Sequence, residues 1–549
     1  TGFRPQPLVV GVPLSLWDAN QPHDLLLRYA GFRIDLFVDG VLIDEEWPIG
    51  TLGAHGVKSV TAAPAIGEIA VWNRLLADGE IERKAGGADI VAQREKAMFG
   101  PEDSTLQYWR PRGYNTSAGD AMPFFHDGTL HVFFLLDRRH HGSKWGLGAH
   151  QWGHVSTTDL SHWKHYPPAL TITEEWEGSI CTGSAFFHNG RYYAFYATRM
   201  PDRSERLGMA TSQDGVHFEK QMPTPFAEPA EPYRRGPNRD PFVFADGGQF
   251  RMLVTAELAH PGVAQRGGAI EQLISDDLKT WTPIAVPFLA PGYFGHQPEC
   301  SDLFFWRGWY YLLFGQDGAT HYRMAKSSTG PWIAPAVDIL DGPQARVMKT
   351  APFSGDRRIG VAFAAQGGFG GNLLFRELVQ LPDGSLGTTF PAEMMPATGE
   401  PVASKGGATV RASEGFGAVA LESLPENARI AATLTASAGT MAFGLVLRGE
   451  EDIKSGLQLR FQPALRRVAW LPVEATSLTV TPLASLEGVN GFDNPIQLEV
   501  ITKGDLFDVS INGVRTLAHR APNLAGKRLF IFAHNGELTV SNLVIRRLR

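Results

Sequence analysis

Three carboxylates recur at matching places along this chain of 549 residues. Asp120 stands four residues ahead of the aromatic run that opens at Phe124. Asp240 stands three residues ahead of a similar run at Val243, and Glu299 five ahead of another at Phe304. Singly, an acid near a strand start is as readily a turn cap. In phase, on strands that converge on one axis, the three would share a pocket. Like charges at close range cannot all ionise freely, so one pKa must rise. An acid with a raised pKa beside an ionised carboxylate is the pair that cleaves a glycosidic bond.

The elements that would position these acids are visible as an internal repeat. Phe124-Phe-His-Asp-Gly-Thr-Leu-His-Val-Phe-Phe is echoed from Phe186, Val243 and Phe304, and more weakly over 356–364. The spacing is about 60 residues, the length of a four-stranded propeller blade. A second element runs in phase: Ser156-Thr-Thr-Asp-Leu-Ser-His-Trp, Ser212-Gln-Asp-Gly-Val-His-Phe, Ser275-Asp-Asp-Leu-Lys-Thr-Trp and Ser327-Ser-Thr-Gly-Pro-Trp. Two elements in phase predict an all-β chain built on a five-bladed β-propeller over 106–398.

Two further units flank it. Over 1–105, Phe32–Ile43 alternates around an Asp39-Gly40 hairpin turn. Ile69-Ala-Val-Trp-Asn-Arg-Leu resembles the closing strand of a laminin-G-like (concanavalin-like) jelly roll, so a small jelly-roll-like β module is expected, with 101–110 as a polar linker. From 399 to 549 the repeat is lost. Period-two runs at Ala428, Gly456, Pro495, Leu506 and Leu538 predict a C-terminal β-sandwich.

Composition bounds the function. A net charge of −7 disfavours nucleic acid and anionic membranes as partners. Two cysteines, Cys181 and Cys300, exclude a disulfide framework. No apolar run is long enough to span a membrane. The low cysteine count and the absence of a leader favour a cytoplasmic protein. His150 and His154 have His-x-x-x-His spacing on a strand rather than a helix, so no metal and no cofactor are expected. The expected partner is a small-molecule or oligosaccharide substrate.

Specific motifs sharpen this. Gln151-Trp152-Gly153-His154-Val155-Ser156, Asp159-Leu160, His162-Trp163, Cys181-Thr182-Gly183-Ser184-Ala185, Arg239-Asp240-Pro241 and Glu299-Cys300 occur in that order. The set resembles glycoside hydrolase family 32, the β-fructofuranosidases, over 115–395. The resemblance implies a retaining hydrolase of sucrose or fructan type, with Asp120 as nucleophile and Glu299 as general acid/base. It also implies Asp240 as transition-state stabiliser, with Arg239 as its neighbour. Trp152, Ser184, Asp137, His296 and Gln297 are the expected sugar contacts. The family's first motif is altered here, however. Gly119-Asp120-Ala121 replaces an Asn-Asp-Pro-Asn-Gly pattern, and Leu135 stands where a Gln is usual. The polar segment 137–145 is a candidate replacement. Two alternatives stay open: an arabinofuranosidase-like propeller, and a non-catalytic carbohydrate-binding propeller.

Overall fold

The computed structural model describes residues 9–16, 18, 20–48, 67–101, 105–224, 226–289, 295–450, 453–474 and 476–549. It is nearly all β. The central part is a propeller. Its innermost strands are Thr116–His126, Ser179–His188, Tyr233–Asp246, Glu299–Trp306 and Ala345–Phe353. Each touches the next, and the last returns to the first, closing the ring. Each opens an antiparallel meander running outward. The first and last meanders are joined through one pair, Gly371 with Ala118.

The two repeated sequence elements explain why the chain folds this way locally. Asp127-Gly128, Asn189-Gly190, Gly247-Gly248 and Arg307-Gly308 all have two successive positive φ angles. That is the turn whose twist suits a tight hairpin. The Ser/Thr-x-Asp element caps its own turn. Oγ of Thr157, Ser212 and Ser275 accepts the amides two and three residues on. Oδ1 of Asp159, Asp214 and Asp277 does the same.

The C-terminal part is a β-sandwich whose two longest strands, Thr398–Ser423 and Arg528–Leu548, pair with each other. Its core is aliphatic and aromatic, around Leu445, Phe461, Trp470 and Phe507. It meets the propeller at a buried ion cluster. Arg376 is 0% exposed and lies between Asp341 at 2.9 Å and Asp508 at 2.8 Å. Among the described residues no helix is long and apolar enough to cross a membrane.

Two local expectations are corrected. Ile69–Leu76 forms no strand, and Asp78–Lys84 is a helix. Asp78 and Glu80 fall in its first turn, and Glu80 accepts the Ala77 amide at 3.0 Å, which is helix-start rather than strand chemistry. The described N-terminal part is a three-stranded sheet with two helices. The stretch 49–66, within the expected jelly roll, lies outside the described residues. The second correction is the linker 101–110, of which 102–104 lie outside the described residues. Leu106, Gln107, Tyr108 and Trp109 are buried. The Tyr108 amide donates to Leu373 O, and Gln107 is hydrogen-bonded to both backbone groups of Phe375. Its aromatics and one amide side chain seal the last meander.

Candidate active site

The site is built from a backbone irregularity repeated around the ring. Pairing slips between Ala118 and Ala121, Ile180 and Gly183, Arg239 and Phe242, Glu299 and Asp302, and Arg346 and Lys349. At each slip two residues face one, a β-bulge that bends the strand and re-aims its side chains. The first bulge residue is left-handed in three strands: Asp240 (φ 55°), Cys300 (φ 54°) and Val347 (φ 45°). Such backbone costs on the order of 1–3 kcal/mol per residue and clusters at functional sites. The acids occupy successive steps around it. Glu299 precedes its bulge, Asp240 is the first residue of its own, and Asp120 is the second of its own.

All three acids line one cavity of about 270 Å³, with Cys181, Thr182, Arg239 and Cys300. Thr182 Oγ1 donates to Asp120 Oδ2 at 2.5 Å, and the Cys300 thiol lies 3.6 Å from the same oxygen. Asp240 Oδ2 accepts from Thr255 Oγ1 at 2.9 Å and from the Cys300 amide at 3.1 Å. Arg239 gathers the other charges. Its guanidinium donates to Glu299 Oε1 at 2.5 Å and to Glu205 Oε2 at 3.0 Å, and its Nε is 3.6 Å from Asp240 Oδ2. Among the described residues Asp120 has no cation as a hydrogen-bond partner.

The electrostatics follow from this. Burial pushes Asp120 up to about 7, with Asp240 and Glu299 adding to the rise and the Thr182 hydroxyl opposing it. Burial also raises Glu299, against the pull of Arg239 and with a further push from Asp240. Burial holds the Cys300 thiol well above its usual range, so it is an uncharged donor and not a nucleophile.

Of the residues expected from sequence, Asp120, Asp240, Glu299 and Arg239 come together. Gln297 lies just behind, hydrogen-bonded to Arg239 at 3.4 Å and to Glu257 at 2.8 Å. Four others do not reach the cavity. Trp152 is 0% exposed and donates its ring N–H to Cys181 O, because the core between two meanders claims the indole. Ser184 is spent bridging to Pro241 O and the Val243 amide. Asp137 is fully buried, 2.9 Å from His150 Nε2 and accepting the His141 amide. His296 is exposed on a neighbouring cavity of about 560 Å³ that shares Gln316 with the first.

The wall that sequence reasoning left open is aromatic and basic. Leu135, His141, His150, Phe369, Arg199 and Arg346 line it. Phe369 stacks on His141 at 4.5 Å and on His150 at 5.0 Å. Gly119 is required here, since a Cβ on it would sit 2.5 Å from the Phe369 ring. His141 falls within the segment 137–145 singled out as polar. Phe369 and Arg199 carried no signal, because they arrive from distant meanders.

Residues 120–330 match the family profile described as Glycosyl hydrolases family 32 N-terminal domain. The sucrose-6-phosphate hydrolase of Bacillus subtilis is 31% identical over 201 residues, covering 35% of this chain and 39% of that protein. A probable sucrose-6-phosphate hydrolase of Psychromonas ingrahamii is 31% identical over 219 residues, 38% of this chain and 37% of that protein. The chain thus matches about two fifths of the length of these relatives. Among solved structures, fructan 1-exohydrolase IIa from Cichorium intybus superposes with a TM-score of 0.66 at 15% identity, covering 82% of this chain and 98% of that one. Sucrose-6-phosphate hydrolase from Lactobacillus gasseri gives 0.60 at 17% identity, covering 79% and 92%. These likenesses extend the shared fold across propeller and sandwich. Over residues 120–330, this chain is thus similar to the N-terminal domain of glycoside hydrolase family 32.

Proposed function

We propose that this chain hydrolyses β-fructofuranosides with retention of configuration, on a five-bladed propeller spanning 106–398 between an N-terminal unit (1–105) and a sandwich (399–549). The observation that carries this reading is the meeting of Asp120, Asp240 and Glu299, from three inner strands, in one cavity. The activities named for its relatives, on sucrose 6-phosphate and on fructan, support it.

The chemistry follows from the partners. In the first step Asp120 attacks the anomeric carbon while Glu299 gives its proton to the departing oxygen. A fructosyl ester forms on Asp120 and the glycosidic bond breaks. In the second step Glu299 takes a proton from water, the water oxygen attacks the same carbon, and the ester breaks. The Thr182 hydroxyl favours the ionised form of Asp120 and so supports its attack. Among the described residues both hydrogen bonds to Asp240 fall on Oδ2, which leaves Oδ1 for sugar hydroxyls and for the charge of an oxocarbenium-like transition state. Arg239 fixes Glu299 in place. The scheme uses no metal or cofactor. A sugar hydroxyl in place of water would turn hydrolysis into fructosyl transfer.

The test is product analysis on sucrose, inulin-type and levan-type oligomers and an aryl arabinofuranoside. Wild type is run beside Asp120→Asn and Glu299→Gln. The reading expects fructose, or a fructosyl-transfer product, from wild type alone. Turnover of the arabinofuranoside with none of any fructoside would replace it.

A further inference from the structure

The loop 137–149 is the most contorted stretch beside the cavity. Arg139, His140 and His141 have φ of 59°, 46° and 71°, and Lys144, Trp145 and Ala149 have 49°, 54° and 51°. Residues with side chains avoid this region, and a run of three persists only where the surroundings over-determine it.

Much of the surrounding support comes from the N-terminal unit. Strand Val41–Glu46 ends in three consecutive acids, Asp44, Glu45 and Glu46, all buried. Glu46 Oε1 accepts the Lys144 amide at 2.6 Å, and Oε2 pairs with Arg139 Nη1 at 2.8 Å. Asp44 Oδ2 takes the other nitrogen of Arg139, and Asp44 Oδ1 takes Asn115 Nδ2 at 2.8 Å. Glu45 Oε1 pairs with Arg138 Nε at 2.7 Å. Such an acidic run is normally a solvated face, yet here each member engages a base or an amide of the loop or its flank.

The far side of the loop is tied to the propeller. The Lys144 ammonium donates to the carbonyls of Glu175 and Glu177, and Arg199 Nη1 donates to Leu147 O at 3.0 Å. Between these anchors His141 enters the cavity wall, stacked on His150 at 4.2 Å and on Phe369 at 4.5 Å. Its Nε2 accepts from Arg199 Nη1 at 3.3 Å. A neutral ring accepting there carries its proton on Nδ1, which has no partner among the described residues. Burial keeps the ring neutral.

We propose that the N-terminal unit completes the sugar pocket. Asp44, Glu45 and Glu46 are positioning residues that lock the 137–149 loop and so hold His141 as a specificity-determining donor to a furanose hydroxyl. This rests on the furanoside reading for its ligand, but not for its mechanical part.

The experiment uses the full chain with Asp44→Asn/Glu46→Gln, His141→Ala, and the triple combination. Hydrogen exchange is followed in peptides across 138–149 and, as an internal reference, across 528–548. The acid variant should raise exchange in the loop about tenfold and leave the sandwich reference unchanged. KM should rise about tenfold with kcat within about threefold. His141→Ala should raise KM similarly without loosening the loop. The triple variant should be no worse than His141→Ala alone, since both routes remove one contact. Unchanged loop exchange overturns the clamp. A loosened loop with unchanged KM, or additive effects in the triple variant, overturns the role of His141. If wild type turns over no fructoside, the furanoside reading fails by itself, and loop exchange still decides the clamp.

Discussion

Two buried clusters in this chain use the same residues for different ends. At the propeller–sandwich boundary Arg376 sits between Asp341 and Asp508. At the propeller axis Arg239 sits among Glu205, Asp240 and Glu299. Both carry more carboxylate than arginine, and both contain an acid pushed upward by burial, Asp508 to about 6 and Asp120 to about 7. A perturbed acid therefore does not mark the site by itself. Closure distinguishes them. Asp341 accepts from Arg376, Thr516 and the amides of Gly342 and Ala518, and Asp508 accepts from Arg376 and Tyr108. Among the described residues Asp120 has one hydroxyl and one thiol and no cation, and it faces the cavity. One cluster is saturated and joins domains. The other leaves Asp120 facing the cavity.

Substitutions should separate the two. The largest effect on turnover is expected from Asp120→Asn or Glu299→Gln, each lowering kcat on a fructoside by at least about a thousandfold in steady-state assays. Arg376→Met should do the reverse. It leaves two buried aspartates without their cation and should cost about 3–5 kcal/mol in urea unfolding, with kcat/KM of the folded fraction unchanged.

Asp120→Asn also tests the electrostatics by pH. The Asp120 carboxyl has a folded pKa of about 7, raised from 3.8. Its contribution to stability is fully present below 3.8 and is lost as pH rises through 7. The variant should therefore melt a few degrees above wild type at pH 8, with the gain fading towards pH 4, as read by calorimetry. An equal gain at both pH values would break the assignment. A smaller effect is expected from Gly119→Ala. Its Cβ would meet Phe369 at 2.5 Å, so kcat/KM should fall about tenfold with little change in melting.

Much of this was legible in the sequence, because repeated turns need particular residues. Asp127-Gly128 and Asn189-Gly190 suit hairpins, and Thr157, Ser212 and Ser275 cap turns through their own hydroxyls, so the repeat surfaced as text. The acids surfaced with it. The bulges did not, since a bulge is an offset between two strands. Cys300 and Val347 adopt left-handed backbone without the glycine that would announce it. Trp152, Ser184 and Asp137 misled for a related reason. Trp152 and Ser184 stand in the motifs that carry the family resemblance and Asp137 in the polar segment 137–145, yet here they pack or brace what lies behind the wall. The Asp44-Glu45-Glu46 run reads as solvated surface until Arg138, at the end of a distant strand, and Arg139, in the loop beyond it, arrive.

The central claim is that Asp120 carries the sugar between two steps. It is tested most directly by intact-mass and peptide analysis of Glu299→Gln incubated with a fructofuranosyl donor whose leaving group needs no protonation. Loss of the general base should let the ester accumulate, so the account predicts one added fructosyl unit, mapped to the peptide containing Asp120 and absent from the Asp120→Asn/Glu299→Gln double variant. Release of free sugar with no adduct, or an adduct on any other residue, would contradict it.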